Sequence, residues 1–478
     1  MRTRTFLALL AASTAPSVLD AATAGAPAVV SSTLDDQTRV AVTVYNTDLG
    51  LVRDERRIVL PEGSLCLRLM DVAARVLPET VQIEPVTAGP RLQVLEQNYE
   101  YDLLSPEKVL EKYVGQEVTI VRRNEFKDEA IPIKARLLSY NNAQPIYEIK
   151  GTIVLYQPHA ETILPALPEN LVARPTLTWL LENSFTQEQV VATTYLTEGM
   201  GWKADYVAVL GGDERTMRIN GWVTIQNNSG TTFKNAQLKL VAGDVQRVSA
   251  GRGGVEMLMA APAAKAAFAQ EEMFEYHLYT LQRPTTLKQN QQKQIALLEA
   301  PQVRVQKSFR TSGESGLYRT HYVGTGLRTA KIDVYLRFTN SVENGLGMPL
   351  PGGTLRVYKA DASGNNQFIG EDRIAHTPKN EVIELRVGTA FDLVADRRQM
   401  DYRVLGDNVF ETAWQVTLRN HKEEDVTVEV IEPLGGDWEI LKSTHTPVKK
   451  DAFTVVFYVP VAKQGSAVCE YRVRVRWR

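Results

Sequence analysis

The stretch ENGLGMPLPGG, from Glu343 to Gly353, sets four glycines and two prolines in eleven residues, and its reading decides between an α/β and an all-β chain. As a dinucleotide fingerprint it would follow a strand, open a helix and hold a pyrophosphate at the helix N-terminus. Aligned on Gly345 and Gly347, however, the sixth position is Leu350 rather than glycine, and Pro349 and Pro351 oppose a helix start there. Downstream, in TLRVYK, Leu355 and Val357 alternate with Arg356 and Tyr358, as in a half-buried strand. Upstream, VYLRFTN from Val334 to Asn340 alternates in the same way. The stretch is therefore a turn between two strands.

The same arrangement recurs along the chain: a short alternating segment ends in asparagine, a polar turn follows, and a second alternating segment begins. It is seen in VTVYNTDLG from Val42, WVTIQNNSG from Trp222, VYLRFTNSVENG from Val334 and WQVTLRNHKEED from Trp414. Asparagine suits such turns because its side chain bonds nearby backbone and it tolerates the left-handed region. Repeated hairpins of this kind predict tandem Ig-like β-sandwich modules with few short helices. The segment 96–163 differs. In LSPEKVLEKYVG, Ser105 is placed to cap a short helix, with Pro106 at its first position and Gly115 as its stop, and short strands follow. A small β-barrel-like insert is expected there, between an N-terminal β module at 37–95 and a β-sandwich region at 164–478. From 248 to 270 the chain is rich in Ala and Gly and shows no period, which predicts a flexible loop.

Lys plus Arg number 54 against 56 Asp plus Glu, a balance that gives no strong field for nucleic acid or an anionic membrane. At the N-terminus, Arg2 and Arg4 precede an apolar run from Phe6 to Ala12, and Ala22-Thr23-Ala24 precedes Gly25. This is the layout of a signal peptide over residues 1–24, which predicts export to the periplasm or beyond. The run breaks at Ser13, Thr14 and Pro16, short of the roughly 20 apolar residues that a membrane helix requires. No later segment is apolar enough to span a bilayer. Export permits a disulfide between Cys66 and Cys469, but Cys66 lies off the apolar face of its strand while Cys469 shares one with Tyr471, Val473 and Val475. Whether the two pair is left open.

Signatures of zinc hydrolases, serine hydrolases, nucleotide-binding loops and dithiol sites are absent from the sequence. Ser105-Pro106-Glu107-Lys108 matches the S-x-x-K motif of penicillin-recognising enzymes without its companion motifs, so the helix cap explains Ser105. DASGNNQFIGED from Asp361 resembles a calcium loop but carries Asn366 where glycine is required, and a hairpin turn accounts for it. Six histidines are scattered singly, so neither a metal nor a cofactor is expected. The densest polar cluster holds Glu371, Asp372, Arg373 and His376, followed by Asp392, Asp396 and Arg397. Two carboxylates beside His376 could do acid and base work on a glycan, with Arg373 and Arg397 as binding groups. An ion-pair ladder on a solvated face is the simpler account. Trp202, Ala204 and Tyr206 share one strand face and read as core rather than as a sugar platform.

The blocks YNTDLGLVRDERRIVLP, LLSPEKVLEKYVGQEVTIV, LPENLVARPTLTWLLEN, YLTEGMGWKADY, GWVTIQNNSGTTFKNAQLKLVAGDV, GEDRIAHTP and VTLRNHKEEDVTVEVIEPLGGDWEI resemble a bacterial family of exported proteins. That family carries a C-terminal domain of unknown function shared with mucoidy-inhibitor-like proteins. The resemblance covers nearly all of the chain after the signal. It implies a β-rich exported protein and supplies no catalytic residues. The function expected is non-enzymatic binding or a structural role in the cell envelope, with an envelope protein or glycan as partner. The alternatives are an envelope glycan hydrolase using the Glu371 to Asp396 cluster and an outer-membrane-associated β protein.

Overall fold

The computed structural model describes residues 27–477 apart from 88, 90, 101–104, 125–128, 143, 156–160, 167–173, 244–267, 274–275, 315, 317, 319–320 and 322–326. The expected signal segment at 1–24 lies outside the described residues, as does most of the expected loop at 248–270. The end of that loop needs correction: Phe268–Gln270 belong to a strand, Phe268–Met273, which pairs antiparallel with Tyr276–Leu281 and buries Phe268. A large apolar side chain with a sheet to enter outweighed the local Ala and Gly content.

The chain is mainly β and divides into two compact units, one made of the chain up to Gln37 with Arg56–Val72 and Ile83–Ala192, the other of Thr38–Glu55, Ala73–Gln82 and Thr193–Arg478. In the first unit, strands Ala28–Ser32, Gly63–Met70, Thr176–Asn183 and Leu92–Glu100 form one sheet in that order, its first pair parallel. A second sheet runs Thr152–Val154, Gln144–Ile149, Glu129–Asn141, Glu117–Asn124, Glu161–Ile163. It is a half-barrel with two open edges, closed over a small core of Tyr113, Val118, Ile120, Leu137 and Tyr147. The helix Pro106–Lys112 lies beside it, and the Ser105 hydroxyl accepts the Lys108 amide at 3.2 Å. The serine serves as a helix cap.

The second unit holds three sheets that matter here. The first orders its strands Gln291–Arg304, Thr216–Asn227, Met200–Leu210, Gly353–Ala360, Asn366–Ile374; Trp202, Ala204 and Tyr206 are buried on one face of it. The second runs Val382–Thr389, Asp333–Thr339, Gln306–Ser312, Val426–Pro433, Thr454–Val461, Pro447–Asp451. The third runs Leu327–Ala330, Leu393–Gly406, Val409–Asn420, Ser466–Arg476, Asp437–Ser443. The last two close on each other as a β-sandwich around Val428, Val430, Phe457, Trp414, Val416 and Val473.

Three of the four asparagine turns are not hairpins. The strands flanking Asn227, Asn340 and Asn420 lie in different sheets, so each asparagine sits where the chain crosses from one layer to another. The ENGLGMPLPGG stretch is one such crossing, entered by a left-handed Gly345 (φ 75°) and fixed by hydrogen bonds from Tyr206 to the Pro351 carbonyl and from Tyr279 to the Pro349 carbonyl. A corner buries backbone that a hairpin would leave in water, and the asparagine compensates it. The Asn340 amide donates to the carbonyls of Met348, Thr377 and Pro378, and its oxygen accepts from Gly347. Asn227 and Asn420 are buried and bonded in the same manner.

Both cysteines are free thiols. Cys469 is fully buried, and burial, with the nearby Glu432, pushes its thiol up to about 12, whereas Cys66 is half-buried. Only thiolate reacts, so alkylation of the native protein near pH 8 is expected to modify Cys66 at least about tenfold faster than Cys469. Peptide mass spectrometry reads the ratio, and equal labelling would contradict this packing.

Candidate functional site

The residues nominated by the sequence are not gathered around one space. On the edge strand Asn366–Ile374, exposed Glu371 pairs with Arg356 at 3.0 Å. Asp372 accepts the backbone amides of Arg373 and Arg386, each at 2.8 Å. Arg373 and His376 are exposed, and the His376 ring accepts the Gly352 amide at 3.2 Å. Asp396 lies in another sheet, 2.6 Å from Arg419, and accepts a hydrogen bond from Thr329. Asp392 is exposed in the preceding turn and lines a cleft. Each of Glu371, Asp372 and Asp396 is thus held by a neighbouring cation or amide of its own, and the three are not paired across a shared space.

Arg397 points the opposite way from Asp396, into the sandwich. It forms a buried ion pair with Glu432, whose second oxygen accepts from the Tyr318 hydroxyl at 2.5 Å; Tyr318 and Tyr471 hydroxyls lie 3.2 Å apart. Burial, and then the Glu432 charge, raises both tyrosines far above their ordinary value, so both stay protonated. A Cβ on Gly313 would sit 2.2 Å from the Glu432 carboxylate, which is why the chain has no side chain there. This network is a polar pin between two sheets.

A cleft of about 270 Å³ opens where the first and second sheets of the second unit meet. Two β-bulges build its wall. Opposite Val357 and Tyr358 stand Gly370 and Phe368, leaving Ile369 as an extra residue; opposite Val334 and Tyr335 stand Gly388 and Arg386, leaving Val387 extra. A bulge re-aims side chains at a sheet edge, and both extra residues line the cleft. The two edges are strapped by the Asp372 carboxylate on the Arg386 amide. Leu210, Phe309, Val334 and Leu336 add apolar lining, and Phe391, 96% exposed, stands at the mouth.

Three lysines line this apolar space: Lys307, Lys359 and Lys422. Glu214 is clamped between Lys307 and Lys359 and sits in the left-handed region at φ 56°, a conformation that non-glycine residues avoid and that the clamp sustains. Lys422 has a looser partner, Glu424 at 3.9 Å, and lies over the Phe309 ring at 5.8 Å. Sequence reading missed this site. Its three cations come from three separate segments, and bulges carry no periodic signal.

Partial burial works to raise the Glu214 pKa, but the hydrogen bonds and charges of Lys307 and Lys359 outweigh it and bring it from 4.5 down to about 2. A depressed carboxylate stabilises the fold fully above its unfolded value, and that contribution is lost as pH falls through the folded value. The stability difference between the protein and Glu214→Gln is therefore expected to shrink from pH 4.5 to about 2. Denaturant midpoints across that window measure it, and a constant difference would contradict the clamp.

Fold and cleft together define a β-sandwich module with a groove lined by three lysines and two carboxylates, Glu214 and Asp392. A family described as a domain of unknown function, DUF4139, matches residues 191–477, and the chain belongs to that family. No match to a curated protein was found. Among the described residues, no group of three or more His, Cys, Asp or Glu is placed to hold a metal ion, and no helix is long and apolar enough to cross a membrane.

Proposed function

We propose that this chain is a non-enzymatic binding protein of the cell envelope, whose DUF4139 region takes a ligand with an acidic group on an apolar body. The observation that carries the reading is the bulge-built cleft with apolar walls and three lysines. The ligand's acid meets Lys422, where Glu424 is a distant competitor, and its apolar part lies against Phe309, Ile369 and Phe391. A hydrogen bond to a charged group contributes about 1.5–3 kcal/mol, and each buried methylene about 0.8 kcal/mol, so a short acyl carboxylate gains from both ends. The charged and then apolar N-terminal stretch, and the resemblance to an exported family whose C-terminal domain is shared with mucoidy-inhibitor-like proteins, support the envelope location. Hydrolysis by the Glu371 to Asp396 carboxylates is disfavoured by their separate ion pairs.

Calorimetric titration with decanoate below its micelle concentration tests the reading. Saturable binding with one site per chain is expected. Absence of binding would remove the cleft from consideration.

A further inference from the structure

We infer that the second unit carries another ligand site, for a neutral oligosaccharide, on the polar face of the sheet containing Met200–Leu210 and Thr216–Asn227. It goes beyond the acidic-ligand reading and does not rest on it. Of the four asparagines that end alternating strands, three are buried and fully bonded to corner backbone. Asn46 is the exception. Its strand turns in a true hairpin, with the Tyr45 amide on the Leu49 carbonyl, and its side-chain oxygen is shielded from solvent without a hydrogen-bond partner. Asn46 itself lines a second cleft, of about 240 Å³, together with Asp48, Gly201, Lys203, Thr224 and Gln226.

Strand alternation sets Asn220, Trp222, Thr224 and Gln226 on one face, opposite Val207, Asp205, Lys203 and Gly201 of the neighbouring strand. The Asn220 side-chain oxygen is likewise shielded and without a partner. Trp222 between them is 40% exposed, unusual for an indole in a central strand. It lies two residues, roughly 7 Å, from Thr224, within reach of a ring adjoining one held in the cleft. The exposed side chains of the cleft's lining supply an acceptor at Asp48 and donors at Lys203 and Gln226. Among the lining residues, Lys203 and Asp48 carry one charge of each sign, so the cleft holds no surplus charge to demand an ion. Sugar hydroxyls, which both donate and accept, match that mixture, and an adjoining ring can lie on Trp222.

Gly201 forms the floor. A Cβ there would meet only the Asp48 amide, at 4.0 Å, so a larger side chain would fill the cleft without clashing. Saturation-transfer NMR and calorimetry on the full chain with cellotetraose, chitotetraose and maltotetraose test the inference. At least one of the three should bind saturably, Gly201→Val should abolish binding, Trp222→Ala should weaken it at least tenfold, and Lys422→Gln should leave it unchanged. If none binds, or if both Gly201→Val and Trp222→Ala bind like the unaltered protein at unchanged melting temperature, the site does not exist. Loss confined to Lys422→Gln would place the sugar in the lysine cleft and overturn the inference equally. Should Gly201→Val fail to fold, the exposed Trp222→Ala decides alone.

Discussion

Glu432→Ala is expected to destabilise the C-terminal sandwich by about 3–5 kcal/mol, the cost of leaving a buried charge without its partner. Arg397 is buried, and one of its terminal nitrogens already lacks a hydrogen bond; removing the carboxylate strips it of its counter-charge. The Tyr318 hydroxyl loses its acceptor at the same time. The pair itself adds little net stability, because desolvation offsets most of the attraction. Arg397→Met with Glu432→Leu, which removes both charges and keeps volume, should therefore lie within about 1.5 kcal/mol of the unaltered protein. Chemical denaturation of the three proteins separates the possibilities. A double variant as unstable as the single one would show that the network contributes more than charge compensation.

Gly370→Ala should open the lysine cleft. Its Cβ would stand 1.9 Å from the Val387 carbonyl oxygen, a backbone atom that cannot rotate away, so the two sheet edges must part. Overpacking of this sort costs about 1–3 kcal/mol, and it displaces Ile369 and Val387 together, since each is the extra residue of a bulge at that contact. Decanoate affinity should fall at least tenfold. Gly406→Ala is the control, because a Cβ there meets nothing within 4 Å, and it should change neither stability nor binding. Unchanged binding in Gly370→Ala would show that the bulges do not shape the site.

The strands and the sandwich class were legible from alternation. The sheet each strand joined was not, because an asparagine turn reads alike at a hairpin and at a corner; the difference is whether Asn340 or Asn420 has loop carbonyls to hold, which depends on distant chain. The buried pin did leave a signal. Val426, Val428 and Val430 share a period of two with Glu432, and Leu393 and Ala395 share theirs with Arg397, so each charge ends an apolar face. Counted by density alone, Asp396 and Arg397 look like one cluster, whereas neighbours on a strand face opposite sides. The lysine cleft had no such trace: Glu214, Lys307, Lys359 and Lys422 meet only through the fold.

If this cleft reads negative charge on an apolar body, reversing the charge of Lys422, its least committed cation, should reverse its preference. Decanoate and decyltrimethylammonium are titrated by calorimetry into the protein and into Lys422→Glu. The unaltered protein should prefer decanoate by at least about tenfold, the effect of one charged hydrogen bond of about 1.5 kcal/mol, and Lys422→Glu should prefer the cation. Equal affinity for both amphiphiles, or a preference that survives the reversal, would show that the cleft does not select by charge.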